Sequence, residues 1–206
     1  MTIYNKIDYT LLKATAMEKE ITALCEKAIE KECASVCIPP YYVPFVKEHF
    51  PTLTICTVIG FPLGNTTTED KVHEIKTAIK NGADELDFVV NLNMVKNEKW
   101  FSIRNEFFNI RVAAENKIVK VILETCYLTE EEIATLCEIA IDYNLDFVKT
   151  STGFGTGGAT FKDVALMKRV CEDRIKIKAS GGIRTKEDAE KFIILGADRL
   201  GMSKIF

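Results

Sequence analysis

The sequence predicts an α/β fold, a (β/α)8 barrel. Three observations carry that expectation. Short apolar runs of strand type recur along the chain, segments of helical periodicity lie between them, and threonine-led helix starts keep step with both. Alternation of this kind means a parallel sheet with helices packed on it, and eight such strands can close on themselves. At 206 residues the chain is near the lower limit for that fold. An open doubly wound sheet is the alternative, but no G-x-G-x-x-G opens a helix, so a dinucleotide site has no support. Residues 1–206 are read as a single barrel domain.

The first strand is IDYTL (7–11). Residues 17–31 then place Ile21, Leu24, Cys25 and Ala28 on one stripe, the mark of a helix packed on one face. ASVCI (34–38), TICTVIG (54–60), ELDFVV (85–90) and IVKVILE (118–124) are the next four strands. Between the last two, Trp100, Phe101, Phe107, Phe108 and Ile110 read as the core side of a helix. In 130–143, Ile133, Leu136, Cys137 and Ala140 form another stripe, and FVKTS (147–151), IKIKAS (175–180) and RLGMS (199–203) complete the eight strands. Helix starts of the T-x-x-E/D type fall at Thr15/Glu18, Thr66/Glu69, Thr129/Glu132, Thr160/Asp163 and Thr185/Asp188. In such a box the threonine oxygen accepts an early backbone N–H and the acid reaches back. Gly82 and Gly196, each in a G-A-D before a strand, suit left-handed helix ends.

Composition narrows the function. A net charge of −3 and a pI near 5.6 argue against a nucleic-acid partner, which asks for a basic face. No segment approaches the roughly 18 apolar residues of a membrane span, and MTIYNKIDYTLLK lacks the apolar core of a signal peptide. Seven cysteines, an odd number with no CxxC pair, suggest neither a disulfide framework nor a zinc ribbon but reduced thiols in the cytoplasm. With His49 and His73 the only histidines, a His-based triad or a His-rich metal site is not expected.

Side chains alternate faces along a strand. If Leu86, Phe88, Val90, Ile175 and Ile177 face the outer helices, then Asp87, Lys149 and Lys178 point into the barrel, late in their strands, where the active sites of this fold collect. Two lysines beside one acid have a chemical consequence. A free lysine titrates near 10.4 and is a poor nucleophile at neutral pH. A neighbouring ammonium and partial burial disfavour its charged form. A drop of about 3 in pKa, roughly 4 kcal/mol of differential interaction, leaves an amine able to form a Schiff base. On pattern alone this reading stands level with a structural ion-pair network. SGGIRTKED (180–188) offers a second element: Gly181 and Gly182 allow close backbone approach, and Thr185 opens a helix whose N-terminus favours anions. With Gly153, Arg184 and Ser203 it makes a candidate phosphate site. FGTGGAT (154–160) is a second glycine-rich loop over the mouth. Cys37 reads as core, with no histidine placed to activate it.

These residues resemble the deoxyribose-phosphate aldolase family. The likeness runs through IDYTLLK (7–13), ASVCIPPYYV (34–43), CTVIGFPLG (56–64), NGADELDFVVN (81–91), VKVILETCYLT (119–129), FVKTSTGFGTGGAT (147–160) and IKASGGIRT (177–185). The resemblance implies a metal-free class I aldolase on a (β/α)8 barrel, acting through a covalent lysine imine with no cofactor. It implies Lys149 as the Schiff-base lysine, Lys178 as its perturbing neighbour and Asp87 as the proton-relay acid. Thr10, Leu12, Thr152, Gly153, Gly181, Gly182, Arg184, Gly201 and Ser203 would hold the sugar phosphate. The implied reaction splits 2-deoxy-D-ribose 5-phosphate reversibly into acetaldehyde and D-glyceraldehyde 3-phosphate. The partner is a small sugar phosphate, and a homo-oligomer, dimer or tetramer, is expected. Departures from the family pattern are Phe154, where some members carry a phosphate-binding lysine, Lys204 in place of a serine, and Lys176 in place of a small residue. Lys204 is the candidate for the missing charge, and Lys176, read as inward, needs a partner such as Glu85. The family's usual final helix after the eighth strand has no counterpart up to Phe206, so an uncovered seam between the last and first units is expected.

Overall fold

The computed structural model describes residues 3–206. Eight parallel strands close in sequence order into a barrel: β1 (Ile7–Thr10), β2 (Ser35–Ile38), β3 (Ile55–Ile59), β4 (Glu85–Val89), β5 (Ile118–Ile122), β6 (Phe147–Lys149), β7 (Lys176–Ser180) and β8 (Arg199–Met202). The helices are α1 (Glu18–Glu30), α2 (Val43–His49), α3 (Thr68–Lys80), α4 (Leu92–Lys96), α5 (Trp100–Ala113), α6 (Glu130–Asp142), α7 (Phe161–Cys171) and α8 (Lys186–Ile194). Among the described residues no helix follows β8. A groove lined by Tyr9, Leu11, Ala23, Leu24 and Lys27 runs beside β1 and α1.

The outward strand residues build the apolar layer. Leu86, Phe88, Val119, Val121, Val148, Ile177 and Leu200 are buried among helix side chains. Phe88 meets Phe107 of α5 edge to face at 5.3 Å. Each such large side chain contributes about 1.5–3 kcal/mol of transfer free energy. The inward face is different in kind. Strand register sets Asp87 beside Lys120, Lys149 beside Lys178, and Lys178 beside Arg199. Outer packing therefore carries the stability that lets the interior be charged.

The helix starts at Thr129, Thr160 and Thr185 cap as expected: each threonine oxygen accepts the backbone N–H three residues on, and Glu132 returns the bond to Thr129. Two starts are displaced. α1 is capped from Met17, whose N–H donates to Glu20, and α3 from Thr67, whose oxygen accepts from Asp70 N–H. Thr66 instead donates to the Asp70 carboxylate. In both cases the box sits one or two residues later, where an acid lies three positions beyond the true cap.

α5 also departs from expectation. Ile103, Phe107 and Ile110 form its buried stripe, whereas Phe101 and Phe108 are 86% and 54% exposed. Seven residues apart, these two share the opposite face of the helix. Within the outer layer lies one buried ion pair. Lys71 Nζ donates to Glu106 Oε2 at 2.9 Å and to the Val89 carbonyl at 2.8 Å, tying α3 and α5 to the end of β4. Burial pushes Lys71 down and Glu106 up in pKa, with each partner's charge opposing the shift.

Candidate active site

The barrel interior holds one connected charge cluster. Asp87 on β4 is its hub. Its Oδ2 accepts from Lys149 Nζ and Lys178 Nζ, both at 2.8 Å. Its Oδ1 accepts from Lys120 Nζ at 2.7 Å and from the Cys56 thiol at 3.1 Å. Asp8 on β1 accepts from Lys178, Arg199 and the Ser35 hydroxyl. Glu85 Oε2 lies 2.5 Å from Lys120 Nζ and 3.4 Å from Arg199. Below them the Phe147 ring offers its face to Lys120 and Arg199. Four cations thus meet three carboxylates: the expected two lysines do stand beside Asp87, within a larger network that the sequence reading does not include.

The charges hold one another ionised. Burial disfavours the Asp87 anion, but Lys120, Lys149 and Lys178 together keep its pKa well below the carboxylate range. Asp8 is held low against burial by Lys178, Lys120 and Arg199. Burial likewise opposes the charge on Lys178, and Asp8 and Asp87 outweigh it, raising the pKa. Lys120 is raised in the same way, chiefly by Asp87. Burial pushes the Cys56 thiol up, consistent with its donating to Asp87. Lys149 stands apart: its one carboxylate contact is an oxygen it shares with Lys178. It is the least compensated cation of the cluster, and it lines the cleft that opens above.

That cleft, of about 340 Å³, sits at the carboxyl ends of the strands. Thr10, Leu12, Lys149, Thr152, Gly153, Gly181, Gly182, Gly201 and Ser203 line it. Asp87 and Lys178 lie beneath Lys149 and reach the cleft through it. Arg184 is exposed and is not among the lining residues, because the chain turns outward to start α8 after Ile183. Lys204 is exposed and outside the lining as well, and the cation on the rim is Lys13, paired with Glu20 at 2.5 Å. Lys176 is exposed at the first position of β7, over the Phe147 ring at 5.5 Å, so it takes no inward partner. Cys37 is buried in the interior beside Cys56 and Val58.

The two glycine loops fit because neither carries side chains at their contact. A Cβ on Gly158 would lie 2.3 Å from the Gly181 carbonyl oxygen. Ala159 N–H donates to the carbonyls of Ser180 and Gly181. Thr150 and Ser180 brace the strands below: Thr150 Oγ1 accepts from Ser180 N–H, and Ser180 Oγ donates to the Ser151 carbonyl. The side of the cleft lined by Gly153, Gly182, Gly201 and Ser203 is therefore built on backbone held from behind.

Two acid–thiol groupings, Cys37/Cys56/Asp87 and Asp8/Cys56/Glu85, are close enough to share an ion. Lys120 Nζ already sits among them, 2.7 Å from Asp87, 2.5 Å from Glu85 and 3.3 Å from Cys56. The lysine ammonium fills the role a metal cation would play. Asp8, Lys120 and Arg199 are not among the sequence candidates, and Glu85, expected to partner Lys176, pairs with Lys120 and Arg199 instead. The signal that would find them is the one that found Asp87: a charged residue on the inward face of a strand.

The model of the DeoC/LacD family of aldolases matches residues 3–197. A deoxyribose-phosphate aldolase of Clostridioides difficile (strain 630) is 51% identical over 204 residues, covering 98% of this chain and 93% of that protein. Among solved structures, an aldolase designated QR15 superposes with a TM-score of 0.94 at 43% identity, over 98% of this chain and 91% of that one. The deoxyribose phosphate aldolase of Aeropyrum pernix, described as tetrameric, gives a TM-score of 0.90 at 30% identity, over 98% and 86%.

Proposed function

The chain belongs to the DeoC/LacD family of aldolases, and on that premise we propose that it cleaves 2-deoxy-D-ribose 5-phosphate reversibly to acetaldehyde and D-glyceraldehyde 3-phosphate. The observation that carries the reading is the Lys149 amine, nearly buried at the foot of the cleft and hydrogen-bonded to a carboxylate that a second lysine shares.

Lys149, as a free amine, attacks the aldehyde carbon of the open-chain sugar, and loss of water gives a protonated imine. A base then takes the proton of the C3 hydroxyl. The bond between C2 and C3 breaks, its electron pair flows into the iminium, and glyceraldehyde 3-phosphate leaves. The enamine on Lys149 takes a proton at C2, and water hydrolyses the resulting imine to acetaldehyde and the free amine. Asp87 and Lys178, joined to Lys149 through one carboxylate oxygen, are the proton carriers in reach. Their fixed geometry means little reorganisation as charge moves. Gly153, Gly181, Gly182, Gly201 and Ser203 receive the phosphate, with Thr10, Leu12 and Thr152 along the sugar. The chemistry calls for no cofactor, since the imine itself is the electron sink. The seven free cysteines suit a reducing, cytoplasmic setting.

The test is direct. Incubation with acetaldehyde and borohydride should add one ethyl group to Lys149, located by peptide mass. Cleavage of deoxyribose 5-phosphate should exceed that of deoxyribose by ~10-fold or more in kcat/KM, the scale of losing a set of polar contacts. A folded protein that neither labels nor cleaves overturns the reading; equal rates on both sugars overturn the phosphate site alone. We also assign a homo-oligomeric state, dimer or tetramer, from the tetrameric relative and the exposed Phe101, Phe108 and Val112 of α5. A light-scattering mass of one chain at micromolar concentration excludes it.

A further inference from the structure

Phe154 stands between two cavities. It lines the catalytic cleft and also a smaller apolar groove formed with Pro62, Leu63, Leu92, Tyr127 and the Glu124 side chain. Its ring meets Phe61 edge-on at 5.4 Å, closing the space between the loop after β3 and the loop after β6. The ring is 54% exposed, so core packing does not account for its position.

What places it is the backbone on either side. Glu124 follows β5 in the left-handed region at φ +57°, which is strained for a residue with a side chain. Its buried carboxylate accepts Thr152 N–H at 3.1 Å and the Thr152 hydroxyl. Thr152 Oγ1 in turn accepts the N–H of Phe154 at 3.0 Å. On the far side, Gly155 lies so close to Glu124 and Cys126 that a Cβ would come within 3.1 Å of both. Glu124 thus anchors Thr152 by hydrogen bonds and crowds Gly155, and the ring between them is held as a partition. Gly153, assigned above to the phosphate, is its chain neighbour and lines the cleft with it, so the partition borders the end of the cleft assigned to the phosphate.

We infer that Phe154 is a specificity-determining residue that shuts the cleft off from the apolar groove and so limits the length of unphosphorylated aliphatic aldehyde that can serve as acceptor in the synthetic direction. The inference rests on the aldolase reading above. In that direction the enamine carbon on Lys149 attacks the acceptor's carbonyl carbon. A carbon–carbon bond forms, the acceptor oxygen takes a proton, and water releases the product from the imine. The acceptor's tail then lies toward Phe154. Removing the ring joins the groove to the cleft and gives a longer tail apolar surface to occupy; enlarging the ring does the opposite.

The test measures kcat/KM with acetaldehyde as donor and propanal or hexanal as acceptor, in the full chain and in Phe154→Ala and Phe154→Trp. Excluded methylenes in an apolar pocket change kcat/KM by ~10-fold or more. The hexanal-to-propanal ratio should therefore rise ~10-fold in Phe154→Ala and fall below the unsubstituted value in Phe154→Trp. A ratio within about threefold of the unsubstituted protein in both variants overturns the inference while leaving the aldolase reading intact, provided Lys149 still traps acetaldehyde. Failure of the unsubstituted protein to trap acetaldehyde or to join any aldehyde pair removes both, and the trapping result tells the two failures apart.

Discussion

Lys149→Met should abolish turnover without unfolding the protein. The reaction needs a primary amine at that point, and neither methionine nor solvent supplies one. Loss of a covalent nucleophile removes at least ~10⁴-fold in kcat, leaving what binding and positioning alone provide. Stability should move little or rise. Four cations share three carboxylates in the interior, and Lys149 is the cation with the fewest anionic contacts. Its removal leaves three cations and three carboxylates, so no charge is left uncompensated, and uncompensated charge is what makes breaking a buried pair from one side costly. Paired measurements decide the matter: kcat for cleavage of deoxyribose 5-phosphate, and the urea midpoint. Turnover above about one per cent of the unsubstituted rate would dislodge Lys149 from the centre of the chemistry. A large drop in midpoint would show that its charge is a structural necessity.

How much of this was legible beforehand depends on the range over which the residues interact. The inward direction of Asp87, Lys149 and Lys178 follows from strand alternation, because Leu86, Phe88, Val148 and Ile177 beside them are apolar and claim the outer face. Helix boundaries marked by Thr129, Thr160 and Thr185 are local as well. The partners are not local. Lys178 meets Asp8 across 170 positions of chain, and Arg199 meets Glu85 across 114. Those contacts exist only because the barrel closes β8 on β1, so a reading of single strands sees isolated charges where the fold makes a network. Phe101 and Phe108 differ from expectation for the opposite reason. Hydrophobicity alone assigns them to the core, whereas their angular position sets them across α5 from the buried stripe of Ile103, Phe107 and Ile110. Lys176 failed similarly: it lies on the correct face, but at the first position of β7, outside the enclosed part of the barrel.

Asp87→Asn separates the two roles of the hub, and its effect on stability should be opposite to that of Lys149→Met. The amide keeps the shape of the side chain but removes the anion to which Lys120, Lys149 and Lys178 all donate. Breaking a buried pair from one side leaves uncompensated charge, at ~3–5 kcal/mol, and turnover should fall ~10²–10⁴-fold with the loss of a proton carrier. The pH dependence fixes the sign. A carboxylate whose folded pKa is depressed binds fewer protons than its unfolded counterpart, so its contribution to stability is complete above the unfolded value, about 3.9. That contribution drains away as pH falls toward the folded pKa. Asp87 and Asp8 are both depressed in this way. The urea midpoint of the unsubstituted protein should therefore fall steeply below about pH 4, and the slope in Asp87→Asn should be shallower because one of the two carboxylates no longer titrates. Adding Lys120→Met to Asp87→Asn returns the interior to its original excess of one cation and should recover stability but not turnover, since Lys178 would still lack the carboxylate that links it to Lys149. If the double variant recovers neither, the destabilisation comes from lost packing at the hub rather than from charge, and the electrostatic account of the interior is wrong.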